Sequence, residues 1–287
     1  MASEYAFTMD MSSIKFGAGA TREVGSDMRA QGATRVLVLT DANLAAGRAV
    51  ETAMRALKAE GLDTVLFDQV RVEPTDSSFR IAIDVATEGG FDGYVAVGGG
   101  SVIDTAKAAN LYATHPADFL AYVNPPIGRG EPVPGRLKTL VAIPTTAGTG
   151  SETTGVAIFD YEPMHAKTGI AHRALRPILG IIDPENTRTM PRMVAACSAL
   201  DVLSHAIESY TALPYSRREA PESPRMRPSY QGANPISDVW SARAVEMLAA
   251  NLMRALDDPD DDEARGQMML AAAFAGVGFG AAGIYLP

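Results

Sequence analysis

Residues 91–112 read FDGYVAVGGGSVIDTAKAANLY. Phe91–Val97 is a short apolar run of strand length, the pattern of a strand buried on both faces of a parallel sheet. It runs straight into Gly98-Gly99-Gly100-Ser101, and a helix is predicted from there to about Tyr112. Outward from this stretch the same alternation repeats. Upstream, Arg35–Thr40 (RVLVLT) and Thr64–Asp68 (TVLFD) read as strands. Helices are predicted over Thr21–Gln31, over Arg48–Glu60 with Gly61 as its stop, and from a cap at Asp76 or Ser77 to about Glu88. Residues 5–17 are mixed and suit a short edge strand. Downstream, Thr139–Ile143 and Leu179–Ile182 are strands, and Val156–Tyr161 with Lys167–Ala171 is a hairpin. Buried strands alternating with amphipathic helices predict an α/β protein with a parallel sheet. Ligands of such sheets bind outside the carboxyl ends of the strands.

The Pro- and Gly-rich stretch 113–138 reads as a long surface loop. After Pro191 the pattern turns helical, with helices over about 191–211, 235–256 and 261–275. The Pro/Arg/Ser-rich segment 214–234 between the first two reads as mobile or partner-facing. The organisation expected is an α/β domain over residues 1–190 and a helical domain over 191–287.

Composition bounds the function. The chain has 287 residues, 47% hydrophobic and 21% charged, as in ordinary globular proteins. Its net charge of −9 argues against a nucleic-acid groove and for small-molecule or protein partners. No apolar run is long enough to span a membrane. The single cysteine, Cys197, excludes an internal disulfide framework and reads as an inert buried thiol on a helix. The first residues, MASEYAFTMDMSSIKFG, lack an apolar core and an arginine-rich pattern, so the expected location is cytoplasmic.

Several features carry chemistry, each with a plainer alternative. Gly98–Ser101 permits close backbone approach, and the free N–H groups of the helix start can hold a pyrophosphate. It lacks the G-x-G-x-x-G spacing and equally suits a tight strand-to-helix turn. Asp104 in the same helix can reach a nucleotide hydroxyl or a domain interface, and Lys107 reads as solvated. The run Thr145–Thr154 (TTAGTGSETT) concentrates hydroxyls after a strand and can clasp a ribose, phosphate or carboxamide, or be a flexible surface turn. It has no P-loop lysine, and Ser151 lacks a G-x-S-x-G context. Asp41 at a strand end suits a ribose contact or a cap. Lys167 suits a phosphate or carboxylate contact, or plain exposure. Asp201 and His205, four apart in PRMVAACSALDVLSHAIESY (191–210), share one helix face. Each can ligate a divalent metal, or the two can simply hydrogen-bond. His115, His165 and His172 are assigned to no metal.

GGGSVIDTAKAAN, IPTTAGTGSETT and ALDVLSHAIESY, in that order, resemble the iron-containing alcohol dehydrogenase family. VRVEPTDSSFRIAI, GSETTGVAIFDYE and SYQGANPISDVW are similar to its hydroxyacid–oxoacid transhydrogenase branch. The resemblance spans essentially the whole chain. It implies a Rossmann-like NAD(P)-binding domain and a helical metal-binding domain of the dehydroquinate synthase-like fold. It places Gly98, Gly99, Gly100 and Ser101 on the pyrophosphate and Asp41 near the adenosine, with Asp104 in the same cofactor-binding set. Thr145, Thr146, Thr149 and Ser151 would line the cofactor cleft, with Lys167 close by. Asp201 and His205 would be two ligands of a catalytic divalent metal, Fe²⁺ by family habit, with Zn²⁺ as the other option. The implied reaction moves a hydride from 3- or 4-hydroxybutyrate to 2-oxoglutarate, giving 2-hydroxyglutarate. The alternatives are an alcohol dehydrogenase with another substrate, or a nucleotide-binding remnant without catalysis. Hydroxyacid and oxoacid substrates are the expected partners, and a homo-oligomer is compatible with this reading. The family supplies two further histidine ligands, whereas this sequence has no histidine after His205. The expectation is therefore a truncated helical domain whose apolar run AAAFAGVGFGAAGI ends without its neighbours.

Overall fold

The computed structural model describes residues 3–284. The chain divides into two compact units. One comprises Ser12–Thr145 and Gly155–Asn186; the other comprises Met1–Met11, Thr146–Thr154 and Thr187–Pro287.

The first unit is built on a six-stranded parallel sheet. Its strands are β1 (Ser13–Phe16), β2 (Arg35–Asp41), β3 (Asp63–Val70), β4 (Gly93–Gly98), β5 (Thr139–Pro144) and β8 (Leu179–Ile182), in the order β1-β8-β5-β4-β2-β3. β6 (Val156–Tyr161) and β7 (Ala166–Ala171) form a separate antiparallel hairpin. The helices are α1 (Val24–Ala30), α2 (Arg48–Ala59), α3 (Asp76–Gly89) and α4 (Gly100–Thr114).

The side-chain period of two explains why the central strands read as continuous apolar runs. Val36, Val38, Val95, Val97, Val141 and Ile143 face a core with Met28, Val50 and Leu57 from α1 and α2. Their alternates, Leu37, Leu39, Tyr94, Ala96, Leu140 and Ala142, face a second core with Ala82, Ile103 and Ala106 from α3 and α4. Each fully buried leucine here contributes about 1.5–3 kcal/mol relative to exposure. The chain runs from β2 outward to β3, then crosses back to β4 on the other side of β2. The strand order therefore reverses between β2 and β4, and their carboxyl ends flank the crevice that such a switch point opens.

Two readings of this unit change. The cap of α3 is Thr75, whose hydroxyl accepts from the Ser78 N–H at 3.2 Å in a capping box with the Ser78 side chain. The 113–138 stretch is more than a surface loop. Phe119, Ala121, Tyr122 and Val123 are buried in a third core with Phe79, Tyr112 and Phe159. The apolar side chains of DFLAYV outweigh the surrounding prolines, and Phe119 stacks on Tyr112 with centroids 5.5 Å apart.

The second unit is carried by α5 (Arg192–Thr211), α6 (Pro235–Asp257) and α7 (Asp262–Ala282). α6 starts on an Asn234–Ser237 capping box with Pro235 in its first turn. α7 runs beyond its predicted end at 275 because its glycines are used for close packing. A Cβ on Gly278 would lie 2.2 Å from Ser241 Oγ, and one on Gly276 would lie 2.3 Å from Thr153 Oγ1. The Ser241 and Ser209 hydroxyls bond at 2.9 Å across α6 and α5. Most of the apolar run expected to lack neighbours is buried, with Ala271–Ala273 and Ala275–Ala282 packed against α5, α6 and the 151–153 turn, while Ile284 at its end is exposed. The 214–234 segment is likewise anchored. Arg227 grips Glu4 through both oxygens at 2.9 and 3.0 Å, and Gln231 exchanges bonds with the Thr8 backbone at 2.9 and 3.0 Å. Among the described residues no helix is long and apolar enough to cross a membrane.

Candidate nucleotide and metal sites

At the switch point the structure brings several candidate residues together. β2 and β4 pair in parallel through Leu39↔Ala96 and end at Asp41 and Gly98. Thr40 donates its hydroxyl to the Val97 carbonyl at 2.9 Å, and the Thr145 N–H donates to the Gly98 carbonyl at 3.1 Å. Asp41, Thr145 and Gly98–Ser101 therefore share one sheet edge. Gly98 cannot carry a side chain, since its Cβ would lie 2.4 Å from Val102. The tight turn is thus required in its own right. Gly99 caps α4 without a side-chain bond, which leaves first-turn N–H groups and the helix dipole for an anion. Asp41 is buried and accepts from the Asn43 N–H at 2.9 Å, so its capping role is realised.

Asp104 and Lys107 differ from expectation. Lys107 is fully buried, not solvated. It donates to the Val156 carbonyl at 2.7 Å and to Asp104 at 3.2 Å, and the other Asp104 oxygen accepts from the Ile158 N–H at 3.0 Å. Together they bolt α4 to β6, because a buried ammonium needs a paired charge and acceptors. The sequence pattern offered no signal for Glu73, which links two predicted residues. Its N–H donates to Ser101 Oγ at 3.2 Å and its carboxylate receives Lys167 at 2.7 Å. That bond holds the Lys167 ammonium above its ordinary pKa.

The Thr145–Thr154 run is split between the units after Thr145. Thr146–Thr154 packs on α7 and is no flexible turn. Gly150 has φ +58°, and a Cβ there would meet the Ala272 carbonyl at 2.7 Å and Gly276 Cα at 2.8 Å. Thr149 Oγ1 accepts from the Ser151 N–H at 3.3 Å. Ser151 is buried, while Thr146 and Thr149 are half-buried.

On α5, His205 Nε2 lies 3.5 Å from Asp201 Oδ1. That is long for a hydrogen bond. It is close to the separation of two donors that each stand about 2.0–2.2 Å from one shared ion. The His205 side chain is 15% exposed and stacks on Phe279 at 4.3 Å, and its Nδ1 is buried without a partner. Burial lowers its pKa, opposed by Asp201 and Glu208, which favours the neutral, ligating imidazole. Carboxylate oxygen and imidazole nitrogen suit a borderline divalent metal in kind and spacing. Among the described residues no third His, Cys, Asp or Glu joins them in a metal-sized group, so the pair fits as part of a site. One turn earlier, Cys197 is exposed rather than buried.

The fold class is α/β, a Rossmann-like parallel sheet with a helical C-terminal part. The model of the iron-containing alcohol dehydrogenases matches residues 12–184, and that of the family's C-terminal part matches residues 229–286. The chain belongs to the iron-containing alcohol dehydrogenase family. It is 57% identical over 285 residues to the mitochondrial hydroxyacid–oxoacid transhydrogenase of Bos taurus, covering 99% of this chain and 61% of that protein. The Homo sapiens counterpart is 56% identical over the same span, again with 61% of its length covered. The iron-containing alcohol dehydrogenase structure from Thermococcus thioreducens matches with a TM-score of 0.83 and 30% identity, over 97% of this chain and 68% of that one. The chain thus spans about 61% of the length of these curated relatives. Both curated relatives are named as mitochondrial. This overturns the cytoplasmic location read from residues 1–17.

Proposed function

We propose that the chain carries the chemistry of a hydroxyacid–oxoacid transhydrogenase, a hydride moving from 3- or 4-hydroxybutyrate to 2-oxoglutarate to give 2-hydroxyglutarate. The observation that supports this most is the 57% identity to a protein of that name along 99% of the chain. NAD(P) is the carrier in this reading. The uncapped start of α4 at Gly99–Ser101 receives its pyrophosphate. Asp41, at the adjoining strand end, serves the adenosine half. Glu73, held by Lys167, keeps Ser101 in place. Thr145, Thr146, Thr149 and Ser151 contribute hydroxyl and backbone groups to the cofactor. Asp104 acts differently from the others and positions α4 through Lys107 and β6.

Asp201 and His205 hold the divalent metal, iron first and zinc second, its other positions filled by water, substrate or groups outside the described residues. Such an ion supplies Lewis acidity to a substrate oxygen. Burial keeps His205 neutral and therefore able to ligate. The nicotinamide supplies the hydride chemistry, and the protein's part is orientation.

The test is incubation of the purified chain with 4-hydroxybutyrate, 2-oxoglutarate, NAD and Fe²⁺ or Zn²⁺, with 2-hydroxyglutarate followed by mass spectrometry. Formation of 2-hydroxyglutarate that is lost on chelation supports the reading. Its absence under every metal condition rejects it for this chain. A second reading, nucleotide binding without turnover, is favoured by the two-donor metal site among the described residues. Calorimetry showing NAD binding without stoichiometric metal would select it.

A further inference from the structure

The helical unit contains a cavity of about 360 Å³ that the chemistry above does not use. Its size is in the range of small-molecule sites. Met190, Leu252, Leu256 and Met268 give it apolar walls, and Ala195 of α5 lines it as well. Asp201 and His205 lie six and ten residues further along α5, about 9 and 15 Å at the helical rise. The cavity is therefore a different place from the proposed metal site.

A buried cation stands in its wall. Arg265 is 7% exposed, and its guanidinium uses two of five N–H donors, one to the Pro259 carbonyl at 2.7 Å and one to Thr187 Oγ1 at 2.9 Å. Both acceptors are neutral. Its Nε–H is buried without a partner, and among the described residues the carboxylates of Asp262 and Asp260 act on it only from beyond salt-bridge distance. The other charges at the wall cancel each other, Arg192 meeting Asp257 at 3.4 Å. Asp262, near Arg265 in the chain, is taken by Arg188. A guanidinium does not deprotonate to escape burial, so its charge calls for an anion. Its planar fork matches a carboxylate, and the apolar walls suit an aliphatic body better than a heavily hydrated phosphate.

We propose that this cavity is a second binding site, for an aliphatic monocarboxylate whose carboxylate pairs with Arg265. The test is calorimetric titration of the full chain with hexanoate, hexanamide and inorganic phosphate. Hexanoate is expected to bind saturably and at least about tenfold more tightly than the amide or phosphate. Ala195→Leu, which fills the cavity and leaves Arg265 in place, is expected to weaken hexanoate about tenfold or more, and so is Arg265→Lys. Asp201→Asn should leave hexanoate binding unchanged. The proposal is overturned if the amide or phosphate binds as tightly as hexanoate, if Ala195→Leu binds like the parent, or if Asp201→Asn abolishes binding.

Discussion

The carboxyl edge of the parallel sheet and the Asp201–His205 face of α5 treat their polar groups in opposite ways. At the sheet edge the charged side chains are answered from within. Asp41 takes an N–H from Asn43, Asp104 takes Lys107 and the Ile158 N–H, and Lys167 takes Glu73. What is left over is backbone, the uncapped first turn of α4. On α5 the carboxylate is 41% exposed, its imidazole neighbour stands 3.5 Å away, and the imidazole Nδ1 has no partner. The first region is pre-organised by its own hydrogen bonds and offers dipoles. The second is held by packing and offers lone pairs. A nucleotide phosphate suits the first and a metal ion the second, for the same electrostatic reason.

The comparison breaks most sharply at Lys107. Replacing it with alanine leaves Asp104 without its ammonium and the Val156 carbonyl without a donor, and should cost about 3–5 kcal/mol in chemical denaturation. A loss below 1 kcal/mol would mean that the edge is not held from within. Next comes His205→Asn, expected to lower Zn²⁺ or Fe²⁺ affinity on the order of 100-fold while leaving NAD binding intact. Equal metal affinity in the variant would return the pair to a plain helix-face contact.

Lys167→Ala tests the same edge at its exposed side. Lys167 and Glu73 are 58% and 68% exposed, so thermal stability should change by about 0–1 kcal/mol. NAD affinity, measured alongside, reads whether the pair also serves Ser101. The smallest effect is a pH dependence from His172, whose pKa is lowered by burial and then by Arg173. Its Nδ1 accepts the Ala174 N–H at 3.1 Å, which requires the unprotonated ring atom. Because the folded pKa is depressed, the unfolded chain binds the proton first. The contribution is whole above the ordinary histidine value and fades as pH falls below it towards the folded one. Denaturation across pH 5–8 should show a shallower slope in His172→Asn than in the parent.

Much of both regions was legible beforehand. The VAVGGGS run, the RVLVLT strand and the Asp201/His205 spacing needed only local periodicity, and their elements stand within a few residues of expectation. Lys107 was misread because a lysine in an amphipathic helix looks solvated until the hairpin packed over it is known. Glu73 was missed because nothing local marks a residue whose partners, Ser101 and Lys167, are remote in sequence. In the 113–138 stretch the prolines mask Phe119, Tyr122 and Val123, whose burial depends on a core completed by distant segments.

The sequence by itself determined the α/β alternation, the glycine turn at a strand end, the donor pair on one helix face and the family. Each is encoded in neighbours along the chain, where a period of 2.0 or 3.6 or a motif is visible. Only the tertiary structure decided that Thr145–Thr154 divides between two units, that the glycines of α7 are contact surfaces, that Cys197 is exposed, and that Arg265 is buried with no carboxylate in salt-bridge range among the described residues. Those facts depend on which distant segments fill the space around a side chain. Burial and pairing belong to that packing, and no local pattern carries them.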